Sequence, residues 1–270
     1  MVERKLVVMV KSINLSFVFI LLIFNACKGP KGDTGPTGPS GSAATDSTPN
    51  TYALKFPGTN GSVAIPYSPV LRPAEFTLEV WVYVDTIYSQ FIPLISSSNT
   101  DQYSQADGYY IKFETGNYYL RLAKAPNLAA AYSVAYTPPT KQWIHLAASY
   151  DKRMATLYIN GQQVAQYPDT FSVYYGSQTP VLGTGSHSNF GGYSYFHGMM
   201  DEVRIWNYAR SASQIQQAMK TKLTGSEAGL VGYWNFDNNA FNPLAIDVTA
   251  NHNNGLLSGE VYFLANTPFN

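Results

Sequence analysis

From Tyr52 onward the chain runs as short segments in which apolar and polar residues alternate, each closed by Gly, Pro, Asn or Asp. This pattern constrains the fold more than any other feature. A period of two places successive side chains on opposite faces of a strand and does not suit an amphipathic helix over the same residues. In the stretch 76–85, Phe76, Leu78, Val80, Val82 and Val84 share one parity and Thr77, Glu79, Trp81, Tyr83 and Asp85 the other. The first set predicts a core face, and the second faces outward or toward a partner layer. Further strands are predicted over 108–115, 118–123, 143–150, 155–160 and 162–167, and strand character returns over 230–236 and 255–264. Asn160 and Gly161 separate two of these segments, and both tolerate the positive φ that a tight hairpin turn requires. One helix is predicted near residues 211–220, with Ser213 and Gln216 in capping-box spacing and Ile215, Ala218 and Met219 on one face. The expected fold class is all-β: a two-sheet antiparallel sandwich with one short helix.

The N-terminal part has a different organisation. Basic Arg4, Lys5 and Lys11 precede an apolar run from Ile13 to Phe24, and Asn25 and Ala26 lead to Cys27, the single cysteine. The run is shorter than the roughly 20 apolar residues a spanning helix needs, and a small residue before the cut suits signal cleavage. The segment resembles a bacterial lipoprotein signal, which implies removal of residues 1–26 and lipidation of Cys27 as the first mature residue. Glycine then recurs at positions 29, 32, 35, 38 and 41, with Pro30, Pro36 and Pro39 between them. This is the collagen-like Gly-X-Y rule, in which only glycine fits at the crowded axis. At about 3.1 Å per residue the run reaches on the order of 40 Å, as a semi-rigid tether or as a stalk forming a homotrimer through residues 29–41. Residues 43–50 read as a flexible joint. The expected divisions are 1–26 signal, 27–50 lipidated cysteine, tether and linker, and 51–270 folded domain. The expected location is the cell envelope, lipid-anchored in the outer membrane or at the cell surface, with the membrane as a partner through the anchor.

With Cys27 modified no thiol remains for a disulfide, so packing must hold the domain, and its length is ample for one core. Residues 52–270 carry 12 Lys and Arg against 14 Asp and Glu, without a basic cluster. Nucleic acid is therefore not an expected partner.

Several ordered strings carry a family resemblance. They are Trp143-Ile-His-Leu-Ala-Ala-Ser-Tyr-Asp151, Leu157-Tyr-Ile-Asn-Gly161 and Gly198-Met-Met-Asp-Glu-Val-Arg-Ile-Trp206, followed by residues 211–219. Gly232-Tyr-Trp-Asn-Phe-Asp237, Asp247-Val-Thr-Ala-Asn251 and Gly255 complete the set. Together they resemble the laminin-G-like jelly roll of the concanavalin A-like lectin and glucanase superfamily, over residues 52–267. The resemblance implies a jelly-roll sandwich and leaves the function open, because one fold hosts many activities.

A related glycosidase would present two carboxyls about 5 to 10 Å apart. Glu79 and Asp85 share a face but lie roughly 20 Å apart at strand rise, and the adjacent Asp201 and Glu202 are expected on opposite faces. His145 reads as a structural strand residue, and His187 and His197 flank a glycine-rich loop without a marked nucleophile. No enzyme is expected. The resemblance implies that Asp201 ligates a structural calcium, completed by carbonyls near 56–58, since calcium takes six to eight oxygen ligands. The loop 183–192 resembles the pentraxin calcium loop in position, but Gly185, Ser186 and His187 stand where acids are expected.

Sugar recognition needs rings to stack on pyranose faces and amides or acids for the hydroxyls, and 21 tyrosines supply amphipathic rings. Two loop stretches concentrate such residues: Asn99, Asp101, Tyr103 and Asp107 in one, and Tyr175, Asn189, Tyr193 and Tyr195 in the other. These eight are the candidate ligand-binding residues. The leading expectation is non-catalytic binding of an extracellular glycan or glycoprotein. A structural or adhesion protein acting through protein contacts, and a divergent glycan hydrolase, are the alternatives.

Overall fold

The computed structural model describes residues 49–87, 91–97, 107–187, 192–237 and 243–269, within a compact unit running from Ala43 to Asn270. The expectations for Cys27 and for the Gly-X-Y run lie outside the described residues. The first strands are β1 (Ala53–Pro57), β2 (Ser62–Ala64), β3 (Phe76–Val84), β4 (Phe91–Ser96), β5 (Tyr109–Glu114), β6 (Asn117–Ala125) and β7 (Leu128–Ala135). Next come β8 (Trp143–Tyr150), β9 (Met154–Ile159), β10 (Gln162–Pro168), β11 (Val181–Leu182), β12 (Thr184–His187), β13 (Gly192–Tyr195) and β14 (His197–Trp206). Helix α1 (Ala212–Ala218) follows, then β15 (Leu230–Trp234), β16 (Leu244–Ala245), β17 (Gly255–Ser258) and β18 (Tyr262–Leu264).

Two antiparallel sheets form the sandwich. The first runs β10-β9-β8-β3-β14-β1-β18, with β15 also paired to β14, and the second runs β16-β17-β2-β11-β4-β5-β6-β7. Strands β12 and β13 make a separate hairpin. Between the sheets lies one apolar core, in which Leu78, Val80 and Val82 meet Tyr109, Ile111, Leu120 and Leu122. The predicted parity of β3 therefore holds for its core face. The Asn160-Gly161 turn also forms as expected, with φ of 49° and 74° joining β9 to β10.

Of the two alternatives for the second face of β3, the partner layer holds: Thr77, Glu79 and Trp81 are buried, because α1 and the segment after it pack over that side and the Trp81 Nε1–H donates to Met219 O at 2.7 Å. Three local readings need correction. The helix is capped two residues earlier than its sequence spacing suggested. Ser211 is extended and its Oγ accepts from Gln214 N, while Gln214 Oε1 accepts from Ser211 N at 2.8 Å. The single strand predicted over 255–264 is two strands, broken where Gly259 takes φ 73° and comes so close to Asn60 that a side chain there would meet its carbonyl. In β14 the register shifts between Asp201 and Arg204, with Glu202 at φ 53°, so strict alternation fails at the Asp201-Glu202 pair.

Candidate ligand-binding site

The outer face of the second sheet is one place where a ligand could lie across strands. Register places Leu244, Leu256, Ala64, Val181, Ser96, Tyr110, Arg121 and Ala131 side by side across all eight strands. In the next row Pro93, Lys112, Tyr119 and Ser133 are neighbours. The Lys112 ammonium stands 5.1 Å from the Phe91 ring, 5.3 Å from Tyr119 and 5.9 Å from Tyr110, and it pairs with Glu114. The β12–β13 hairpin seals the middle of this face. A side chain at Gly185 would overlap the Tyr110 hydroxyl and press on Pro93. Among the described strands, Glu114 is the carboxylate on these outer rows and it is held by Lys112, so the acid pair a glycosidase requires is not built there.

The rim carries the other candidate residues. In the hairpin Gly185 pairs with Ser194 and Ser186 with Tyr193. Alternation turns Gly185 and Ser194 toward the sheet and Tyr193 and Tyr195 to the opposite side. Tyr193 is 59% exposed, with its ring free to meet solvent, and Ser194 is buried.

The structure also brings Asp107 and Tyr175 together, around a residue that the sequence had not singled out. Arg72 donates to the carbonyls of Gly176 and Gln178, lies 3.8 Å from Asp107 Oδ1, and has its guanidinium 5.7 Å from the Tyr175 ring. Asp107 Oδ2 accepts from Gln178 N at 3.1 Å, and the Tyr175 hydroxyl donates to Pro73 O at 2.9 Å. Burial pushes the Tyr175 phenol well above its ordinary range. Asp107 and Tyr175 thus act as braces of this loop junction. The exposed ring here belongs to Tyr67, 52% exposed and stacked 4.4 Å from the Arg72 guanidinium. The turn signal Pro66-Tyr-Ser-Pro69 marked a loop there, but nothing local revealed that Arg72 would hold the ring. Asn99, Asp101, Tyr103 and Asn189 lie outside the described residues.

Asp201 belongs to the first sheet, away from these loops. It is fully buried; Asn50 Nδ2 donates to its Oδ2 at 2.9 Å and Glu202 N to its Oδ1 at 2.8 Å. Burial, and then the neighbouring Glu202 charge, push its carboxyl well above the usual range. Leu54 faces Met200 and Phe56 faces Gly198, so the carbonyls of 56–58 lie toward the other end of this pairing, and Asn50 is what reaches Asp201. The donors beside it are oxygen-bearing, as a hard cation prefers. Asp237, a further acidic neighbour, is bound by Lys222 at 2.8 Å, and among the described residues no three His, Cys, Asp or Glu side chains converge on an ion. Glu202 is turned to the Tyr233 hydroxyl at 2.8 Å and to Arg204. Both acids are closed to substrate.

A family model described as the concanavalin A-like lectin/glucanases superfamily, Laminin_G_3, matches residues 57–216. Pappalysin-1 of Mus musculus is 28% identical over an alignment of 198 residues that covers 66% of this chain and 12% of pappalysin-1. A solved Bacteroides ovatus protein, provisionally described as carbohydrate binding, superposes with a TM-score of 0.62 at 21% identity, covering 80% of this chain and 60% of that one. The heptameric SAP-like pentraxin of Limulus polyphemus gives a TM-score of 0.50 at 14% identity, covering 81% and 97%. At these identities the two solved structures share the fold.

Proposed function

The chain belongs to the concanavalin A-like lectin/glucanases superfamily, and from that premise we propose that it is a non-catalytic cell-envelope lipoprotein whose jelly roll binds extracellular carbohydrate or glycoprotein. The observation that carries this reading is Tyr193: a ring 59% exposed, on a hairpin whose other side is seated on the sheet. A ring fixed in this way loses little conformational freedom on meeting a sugar face. The sealed acids at Asp201 and Glu202 and the paired Glu114 support binding without hydrolysis. A glycan array on residues 43–270, run with calcium and with chelator, tests it. Selective binding that falls in Tyr193→Ala supports the reading; a blank array under both conditions, with the protein folded, refutes it.

Calcium enters the proposal as a prop of the fold. Asp201, with Asn50 and Asp237 beside it, would hold the ion and be relieved of like-charge repulsion. An ion bound only by the folded state must raise the melting temperature, so equal melting in calcium and in chelator would remove it. Cys27 is proposed as the lipid-bearing residue, checked by metabolic labelling with palmitate, which Cys27→Ser should abolish. The run from 29 to 41 is proposed as a tether. A trimer that reverts to monomer when those residues are deleted would instead assign it to assembly.

A further inference from the structure

The outer face of the first sheet is only half covered. Helix α1 packs Ile215 against Ala147 and Tyr158, its C-terminal end reaches Trp81, and Phe269 lies 6.1 Å from the Trp81 ring. One register row further this cover thins to the C-terminal segment, whose Asn266 reaches Trp143. There Tyr262 pairs with Lys55, Lys55 with Met199, Met199 with Tyr83, and Tyr83 with Trp143, one residue from each of five adjacent strands. Their chain neighbours Phe263, Leu54, Phe56, Met200, Val82, Val84 and Ile144 all pack with the core, so this row lies on the outer side of the sheet, where Met199 is itself buried while Lys55, Tyr83, Trp143 and Tyr262 keep part of their surface. Four strand spacings make it about 19 Å long.

The row carries both parts that a sugar site needs. Tyr83 and Trp143 are partly exposed and meet edge to face at 5.6 Å, and Tyr262 is 49% exposed at the far end. The Trp143 indole N–H donates to Asn266 Oδ1 at 3.1 Å, which fixes the ring from its edge. Between the rings Lys55 is ion-paired with Asp85, and His197 Nε2 lies 3.5 Å from the same carboxylate; these side chains are 14 to 23% exposed. The ion pair leaves little net field to draw an anion. Charged groups set among the rings also argue against a protein partner, since the centre of a protein interface is depleted of charge. An uncharged chain bearing many hydroxyls satisfies both the rings and the polar groups.

We propose that Tyr262, Lys55, Tyr83 and Trp143, flanking the buried Met199 and bordered by Asp85, His197 and Asn266, are a second binding platform, for a neutral polysaccharide chain lying across the strands. It rests on the glycan-binding reading and adds a site on the opposite sheet from Tyr193. Trp143 offers a direct report, because Trp81, Trp206 and Trp234 are buried and these are the four tryptophans of the chain. Purified protein is run in native gels containing soluble neutral glucan, mannan or xylan, and acrylamide quenching of tryptophan fluorescence is measured with and without each. The expected result is that a retarding polysaccharide shields one tryptophan from acrylamide. Trp143→Ala should weaken retardation by about ten-fold or more, the scale of a ring at the centre of a contact, while Trp143→Phe retains most of it. If Trp143→Ala fails to fold, shielding in the unaltered protein decides. Retardation with unchanged quenching and unchanged affinity of folded Trp143→Ala would overturn the platform and leave glycan binding standing. Failure of every polysaccharide to retard the folded protein would remove both.

Discussion

Replacing Glu79 with Gln tests whether the buried charges under α1 are bonded as described. Glu79 is wholly buried on β3, with Arg210 on Oε1, and Arg204 at 3.7 Å and His145 at 3.4 Å from Oε2. Burial alone would raise its pKa, but the adjacent His145 imidazole and the guanidinium charges of Arg204 and Arg210 outweigh it and hold the carboxyl at about 2, from an ordinary 4.5. That displacement corresponds to about 3 kcal/mol of stability. Because the folded value lies below the unfolded one, the stabilisation is complete above roughly pH 5 and is lost as pH falls toward 2. Glu79→Gln keeps the shape and removes the charge, leaving Arg210 without its carboxylate. Urea unfolding at pH 7, 5, 4 and 3 should place the variant about 3 kcal/mol below the parent at pH 7, with the gap closing as the pH drops. Equal stability at pH 7, or a gap that stays constant down to pH 3, would refute the reasoning.

Asp247 is a second buried hub. Its Oδ1 accepts from Tyr233 N, Thr249 N and Thr249 Oγ1, and its Oδ2 from Asn253 N and Asn253 Nδ2, all at 2.9 to 3.1 Å. Asp247→Ala strands these donors and should cost roughly 3 kcal/mol or more in urea unfolding, whereas a loss near zero would show that other groups satisfy them. Ser211→Ala removes the helix cap and should cost about 1 kcal/mol. The companion Ser213→Ala should cost much less, and the reverse order would return the cap to Ser213.

By itself the sequence determined the strongly alternating strands and their core face, while β1, β2, β4, β7 and β11 to β13 lay outside the segments it marked. A two-residue period can bury apolar side chains only one way, so Phe76 to Val84 had to present one parity inward, and Asn160-Gly161 had to turn because both accept positive φ. Such signals are local and survive in a single segment. Whatever depends on packing between distant segments was hidden. Nothing near Glu79 or Trp81 announces that a helix from beyond residue 210 will cover them, and the bulge after Asp201 breaks the alternation that placed Asp201 and Glu202 on opposite faces. The rim was half legible. Tyr193 stands exposed as expected, although on strand β13 and not in a loop, but Tyr175 looked the same in sequence and became a brace, while Tyr67 took the exposed place over Arg72. The row from Tyr262 to Trp143 draws one residue from each of five strands scattered from residue 55 to residue 262. Strand order and register alone make those residues neighbours, because hydrogen-bonded pairing between strands is set by the whole sheet.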